Sequence, residues 1–233
     1  MLEKISKESM YVSNLGWLES RFHFSFAQYR DFNNLNFGVL RVLNDDIVHP
    51  HSGFDMHPHS DMEIISYVVE GEITHKDSMG NEEILKKGEV QYMSAGTGVM
   101  HSEYNHFNTD LRLLQIWILP PQKGVNPLYG SYRFIQEDRH NKFLHMVSST
   151  KGQAKIKIHQ DVNIFVSQLD ASHTLEFVIQ NKRQIYFVQI EGSCEVNGIK
   201  LNDADALKVV DETELTIEAL TNAHFILIEM SAE

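Results

Sequence analysis

Short runs of β-branched and aromatic residues recur along the whole chain, among them FGVLRVL, EIISYVV, EVQYM, LLQIWIL, NIFVSQL, IYFVQIE and FILIEM, set between glycine, asparagine and aspartate. Apolar runs of this length bounded by turn formers predict strands, and their number predicts an all-β protein. From Thr213 to Leu220 polar and apolar residues alternate, which puts Leu215, Ile217 and Ala219 on one face of a half-buried strand. No long capped amphipathic helix is evident. Leu201 to Leu207 reads either as a single helical turn or as an aspartate-rich loop.

Two stretches share one pattern. YVVEGEI, followed by the turn around Met79-Gly80-Asn81, lies beside FVQIEGSCEV, followed by Asn197-Gly198. Each is an apolar strand, a Glu-Gly step, a second strand and a hairpin turn, as a duplicated β-barrel would show. The irregular polar stretch from about Gly124 to Lys142 is the natural divide. It predicts an N-terminal domain over residues 1–130 and a C-terminal domain over 131–233.

Composition narrows the function classes. Of 233 residues, 20 are Lys or Arg and 32 are Asp or Glu, a formal charge of −12. Such a balance repels phosphate backbones and anionic membranes, so neither nucleic acid nor a membrane is an expected partner. A single cysteine, Cys194, excludes an intramolecular disulfide framework and a cysteine-rich zinc site. The opening MLEKISKESMYVSN lacks the apolar core of a signal peptide, and a cytoplasmic location is expected. The apolar stretch Leu113 to Leu119 stops at Pro120-Pro121, far short of the roughly 20 residues needed to span a bilayer.

The candidate chemistry lies in two short motifs. In His57-Pro58-His59 the proline pushes His57 into extended backbone, where residues two apart project to the same face. His101-Ser102-Glu103 follows the loop SAGTG, whose glycines permit a tight hairpin return. Inside a barrel the two faces would bring three imidazoles and one carboxylate to a common point. Four protein ligands leave open positions on a six-coordinate metal, the logic of non-heme iron sites. One divalent transition metal per chain is expected, Fe(II) foremost, with Mn, Ni, Cu and Zn also suited to these donors.

An isolated HxH is more often a surface or hydrogen-bonded pair than a site, but two such pairs on glycine-flanked strands shift that balance. His49-Pro50-His51 is a rival pair, read as loop because no strand pattern surrounds it. Glu63 stands four residues from His59, about 13 Å along a straight strand at roughly 3.3 Å per residue, too far to share an ion. It is expected to orient a histidine instead. His75 and His106 read as surface residues, and Asn105 as a turn residue beside Glu103.

The ensemble SRFHFSFAQY, LRVLNDD, GFDMHPHSDMEIISYVVEGEITHKDSMGN and LKKGEVQYMSAGTGVMHSEYN strongly resembles the pirin family of the cupin superfamily. The resemblance is dense over residues 17–120 and thinner afterwards, with KIHQD at 157–161 the best later match. It implies a bicupin, two antiparallel β-barrel, jelly-roll-like domains, with one metal in the first. The family's ligands fall on His57, His59, His101 and Glu103. The general cupin pattern has a glutamate near Glu63 and a proline where this chain has Ser94.

Aligning Gly71 with Gly192 puts Val178 and Gln180 opposite His57 and His59, and neither is a metal ligand. His224 is read as structural, so the C-terminal domain is expected to hold no metal. Bacterial members resemble quercetin 2,3-dioxygenases, which open a flavonol with O₂ and release carbon monoxide. The resemblance therefore implies a small aromatic substrate and O₂, with Glu103 as the base that takes the 3-hydroxyl proton. Two rival implications are a metal- or redox-sensing pirin acting through a protein partner and a cupin that holds metal without a reaction.

Overall fold

The computed structural model describes residues 1–232 and is built almost entirely from strands, with two three-residue 3-10 turns at Lys7–Ser9 and Gln136–Asp138. The apolar runs each form a strand: Leu40–Val48, Glu63–Glu70, Glu89–Ser94, Leu111–Ile118, Val162–Leu169, Arg183–Glu191 and Ala223–Ser231. Glu214–Ala219 alternates exposed and buried along its length, as its sequence does. Between Leu201 and Leu207 the chain makes a loop. Asp205 organises it, accepting hydrogen bonds from the amides of Asn202 (2.8 Å) and Lys7 (3.0 Å) and pairing with Lys4. A carboxylate that satisfies local amides in this way competes with helix formation. No helix among the described residues is long and apolar enough to cross a membrane.

The chain forms two compact units. One comprises Tyr11–Phe134 with Ile158–Gln160, the other Met1–Met10, Ile135–Lys157 and the chain from Asp161 onward. Each has a seven-stranded and a four-stranded sheet paired antiparallel. The sheets do not close into barrels. In the N-terminal unit the larger sheet ends on Tyr11–Asn14 at one edge and Leu128–Arg133 at the other, and the smaller on Ser52–His59 and Glu82–Lys86. Each unit is thus a cupin jelly roll of two sheets, as the resemblance implied.

Strand register explains what the N-terminal unit can hold. Asn44, Gln115, Ser66 and Gln91 stand directly opposite one another across four neighbouring strands and so share one face. On one side of this polar row lies an apolar cluster of Leu18, Val48, Val68, Ile73, Leu85, Leu111 and Leu113. On the other lie Ile64, Met93 and Val99 with Trp117 and Tyr129 packed against them. In the C-terminal unit the register that starts from Phe187, the counterpart of Ser66 under the Gly71–Gly192 alignment, runs Phe165, Leu227, Phe187, Leu207. That interior is filled by apolar side chains.

The two Glu-Gly steps are built alike. Gly71 and Gly192 have φ of +77° and +75°, and a Cβ on either would stand 2.5 Å from the carbonyl oxygen of Asp110 or 2.0 Å from that of Asn222. Both the backbone region and the space require glycine. Gly192→Ala is expected to cost about 2 kcal/mol or more and lower the melting temperature by roughly 4–8 °C. Gly198→Ala, at φ +83° with no atom within 4 Å of the added carbon, should cost only about 1 kcal/mol. Equal losses in thermal melts would contradict the close-approach argument.

Candidate metal centre

Ser52–His59 and Val99–Asn105 are adjacent antiparallel strands, with His101 opposite His57 and Val99 opposite His59. This pairing carries the three imidazoles to one place. Ring centroids are 4.8 Å apart for His57 and His59, 4.5 Å for His57 and His101 and 4.9 Å for His59 and His101. One nitrogen from each lies within 4.8 Å of the others. His101 is buried, while His57 and His59 are half-buried and reachable from solvent.

Hydrogen bonds and burial prepare these rings for a cation. His57 Nδ1 lies 2.7 Å from the carbonyl of Asp55 and donates to it, leaving the Nε2 lone pair free. Burial, reinforced by the neighbouring histidines, pulls His59 from 6.5 to about 4 and His101 from 6.5 to about 3. Both are neutral at pH 7, the form that binds a metal. Nδ1 of His101 is buried without a hydrogen-bond partner. Converging neutral nitrogens with an orphaned polar atom fit a divalent transition metal.

Glu103 is held differently. A register shift falls between His101 and Glu103, so Glu103 stands opposite Phe54 rather than continuing the His57 pairing. Its Oε1 accepts from Ser66 Oγ at 2.8 Å and from the Gln91 amide, and its Oε2 accepts from Gln115 Nε2 at 2.7 Å. The polar row of the opposite sheet is therefore the cradle of this carboxylate. By distance Glu103 groups with His101 and His75, not with His57 and His59.

The remaining sequence candidates fall into place around this centre. His49 pairs with Asp110 at 2.9 Å and His51 with Asn108 at 3.0 Å, and neither belongs to a donor group. Glu63, fully buried, accepts from the amides of His159 (2.6 Å) and Gln160 (3.0 Å) and from Tyr92 Oη (3.1 Å). It also meets His159 Nδ1 at 3.0 Å, in the KIHQD motif, and His159 is in neither donor group. Asn105 donates to the carbonyls of Val48 and Thr109 and fixes the turn after Glu103. His106 is exposed, as expected, but His75 is fully buried and its surface reading is corrected. It shares the inward face of Glu72–Asp77 with Ile73 and Asp77, a period of two that the polar run THKD obscured.

In the C-terminal unit Val178 is 72% exposed, and His224 is buried against Glu191 at 3.1 Å. Among the described residues both groups of three potential metal donors lie in the N-terminal unit. A cavity of about 200 Å³ in the C-terminal unit, lined in part by His140, Asp170 and His224, lies outside these groups.

The metal-free protein carries a pH signature. Burial also lowers His23 to about 4. Below pH 6.5 the unfolded chain binds protons on His23, His59 and His101 that the folded chain refuses until about pH 4 or 3. Stability contributed by these three is lost as pH falls through that window. Asp46 acts in the opposite sense, since burial holds its carboxyl up at about 7, and between there and 3.8 the folded chain holds a proton that the unfolded chain has released. His145 is also lowered by burial, and with these histidines outweighing Asp46 the melting temperature of the metal-free protein is expected to fall from pH 7 to pH 5. A rise over that range in thermal melts would contradict the assignment.

Comparison with known proteins places this arrangement. The family description Pirin matches residues 5–118, and the description Quercetinase C-terminal cupin domain matches residues 145–230. The chain is 41% identical to a pirin-like protein of Caulobacter vibrioides over 230 residues, 98% of this chain and 99% of that one. It is 40% identical to the quercetin 2,3-dioxygenase of Escherichia coli (strain K12) over 219 residues, 94% of each. Among solved structures, the bacterial pirin YhhW of Escherichia coli in complex with nickel(II) is 36% identical, with a TM-score of 0.94 over 100% of both chains.

Proposed function

We propose, from the premise that this chain belongs to the pirin family, that its N-terminal jelly roll is the metal centre of a dioxygenase that opens a flavonol such as quercetin with O₂ and releases carbon monoxide. The observation that carries the reading is the convergence of His57, His59 and His101, with His57 already fixed in a metal-binding tautomer by Asp55. His57, His59 and His101 hold the ion, and Glu103 is the candidate fourth ligand. A metal bound there supplies Lewis acidity and a template for two adjacent substrate oxygens. Iron(II) is the ion proposed, and the nickel complex of the YhhW relative supports divalent metal binding by this fold.

The chain's own residues supply the rest. Glu103 keeps a lone pair on Oε2 beyond the bond from Gln115 and is the candidate base for the flavonol 3-hydroxyl. Ser66, Gln91 and Gln115 fix its orientation. Trp117 stands edge-on to His59 at 4.9 Å and meets Phe26 at 5.4 Å, which gives an aromatic wall beside the half-exposed histidines for a planar substrate. The test is anaerobic loading with iron, manganese, nickel or copper, followed by oxygen uptake and carbon monoxide release across a panel of flavonols. Uptake with carbon monoxide supports the reading. A loaded protein that gives neither, yet changes its binding to a protein partner with metal oxidation state, would overturn it in favour of a sensor.

A further inference from the structure

His75 has no part in the proposed reaction, yet it is built as a ligand is built. Its ring is fully buried, with Nε2 3.2 Å from Oδ2 of Asp77. Asp77 is fixed by the amides of Met79 (2.9 Å) and Asn81 (3.0 Å) and by Asn81 Nδ2 (2.8 Å), which hold its carboxyl below the ordinary range despite burial. In the tautomer that donates to Asp77, Nδ1 of His75 carries the lone pair, and that atom is buried with no hydrogen-bond partner. A carboxylate behind an imidazole whose other nitrogen is free is the arrangement that orients histidines on metals. The ring is held between Tyr129, stacked at 4.6 Å, and His101, at 5.5 Å. Tyr129 is itself tied to Glu83 at 3.1 Å.

Suitable donors lie around this ring. Ligand atoms of His75, His101 and Glu103 all lie within 4.8 Å of one another. We propose that these three residues form a second, inner position for a divalent transition metal in the N-terminal unit, alternative to the three-histidine position because both require His101. A site with a carboxylate and two imidazoles suits manganese, whereas three imidazoles suit iron, nickel, copper or zinc. The identity of the ion would then select where it sits, with one ion per chain in either case. The inference shares with the proposed function only the premise that this unit binds a divalent metal, and it stands or falls apart from flavonol chemistry.

The experiment titrates manganese(II) or nickel(II) alone into the metal-free full-length protein, reading affinity by calorimetry and bound manganese by electron paramagnetic resonance. His75→Ala should weaken manganese more than about tenfold and nickel much less, since an oriented ligand is worth at least the roughly 10- to 100-fold of an outer partner. His57→Ala/His59→Ala should show the reverse selectivity and keep one manganese per chain. His75→Phe preserves burial and stacking on Tyr129 but offers no nitrogen, and it should lose manganese as the alanine variant does. A general loosening of the fold would lower both metals together, and that outcome overturns the inner position. Unchanged manganese affinity in both His75 variants overturns it equally. A parent protein that binds neither metal overturns both positions, whereas a parent that binds metal without flavonol turnover leaves the selectivity comparison decisive.

Discussion

His101→Ala should leave the protein without metal: after reconstitution and desalting, bound metal is expected to fall below about one hundredth of the parent's affinity-matched occupancy, beyond the 10- to 100-fold cost of altering an outer partner. His101 is the one residue common to both donor groups, so its loss removes a nitrogen from each. Its strand places it opposite His57, and no other described residue shares that position. His49→Ala and His51→Ala are the controls. Those rings bond to Asp110 and Asn108, outside the donor groups, and their removal should leave one metal per chain. Elemental analysis decides the matter, and full occupancy in the His101→Ala protein would put the site elsewhere.

Glu103→Gln should slow flavonol turnover by about 10² to 10⁴ per bound metal, the usual contribution of a positioned base. Glutamine fills the same space and its oxygen can still face a cation, but it cannot take a proton. Its amide group would meet the donors that now serve the carboxylate. Gln91 and Gln115 can turn their amides about to present oxygen instead, so the fold should lose only about 1 kcal/mol. Activity therefore has to be expressed per metal ion, alongside thermal melts. A Glu103→Gln protein as active per ion as the parent would remove Glu103 from the role of base.

Much of this centre could be read from residue order alone. His57-Pro58-His59 carries its own geometry, because proline forces the extended backbone that aligns the two rings. His101 followed from the hairpin glycines before it. The surroundings of Glu103 were less legible, because a period-two reading cannot anticipate the register shift after His101. Its cradle left only a faint trace, one polar residue inside each of three apolar runs: Ser66 in EIISYVV, Gln91 in EVQYM and Gln115 in LLQIWIL. Those residues converge only through strand order, which is a property of pairing across long sequence separations. The same limit hid the destination of Glu63, whose partner His159 lies 96 residues away.

The strand Leu2–Ile5 finds its partner in Ala206–Val209, and Ile158–Gln160 belongs with the unit whose main span ends at Phe134. During synthesis Leu2–Ile5 must wait for a strand some two hundred residues downstream. Residues 2–5 leave the ribosome some two hundred residues before the edge they will join, and at about 5–20 residues per second that delay is on the order of ten to forty seconds. Throughout it the chain carries an unpaired strand with open amides and carbonyls, the feature that invites wrong partners. Leu2-Glu3-Lys4-Ile5 has two charged residues among its four, which keeps the waiting segment soluble. The N-terminal unit, for its part, receives its last three residues only when the chain has grown past residue 160, so neither half is complete as a product of its own stretch of message.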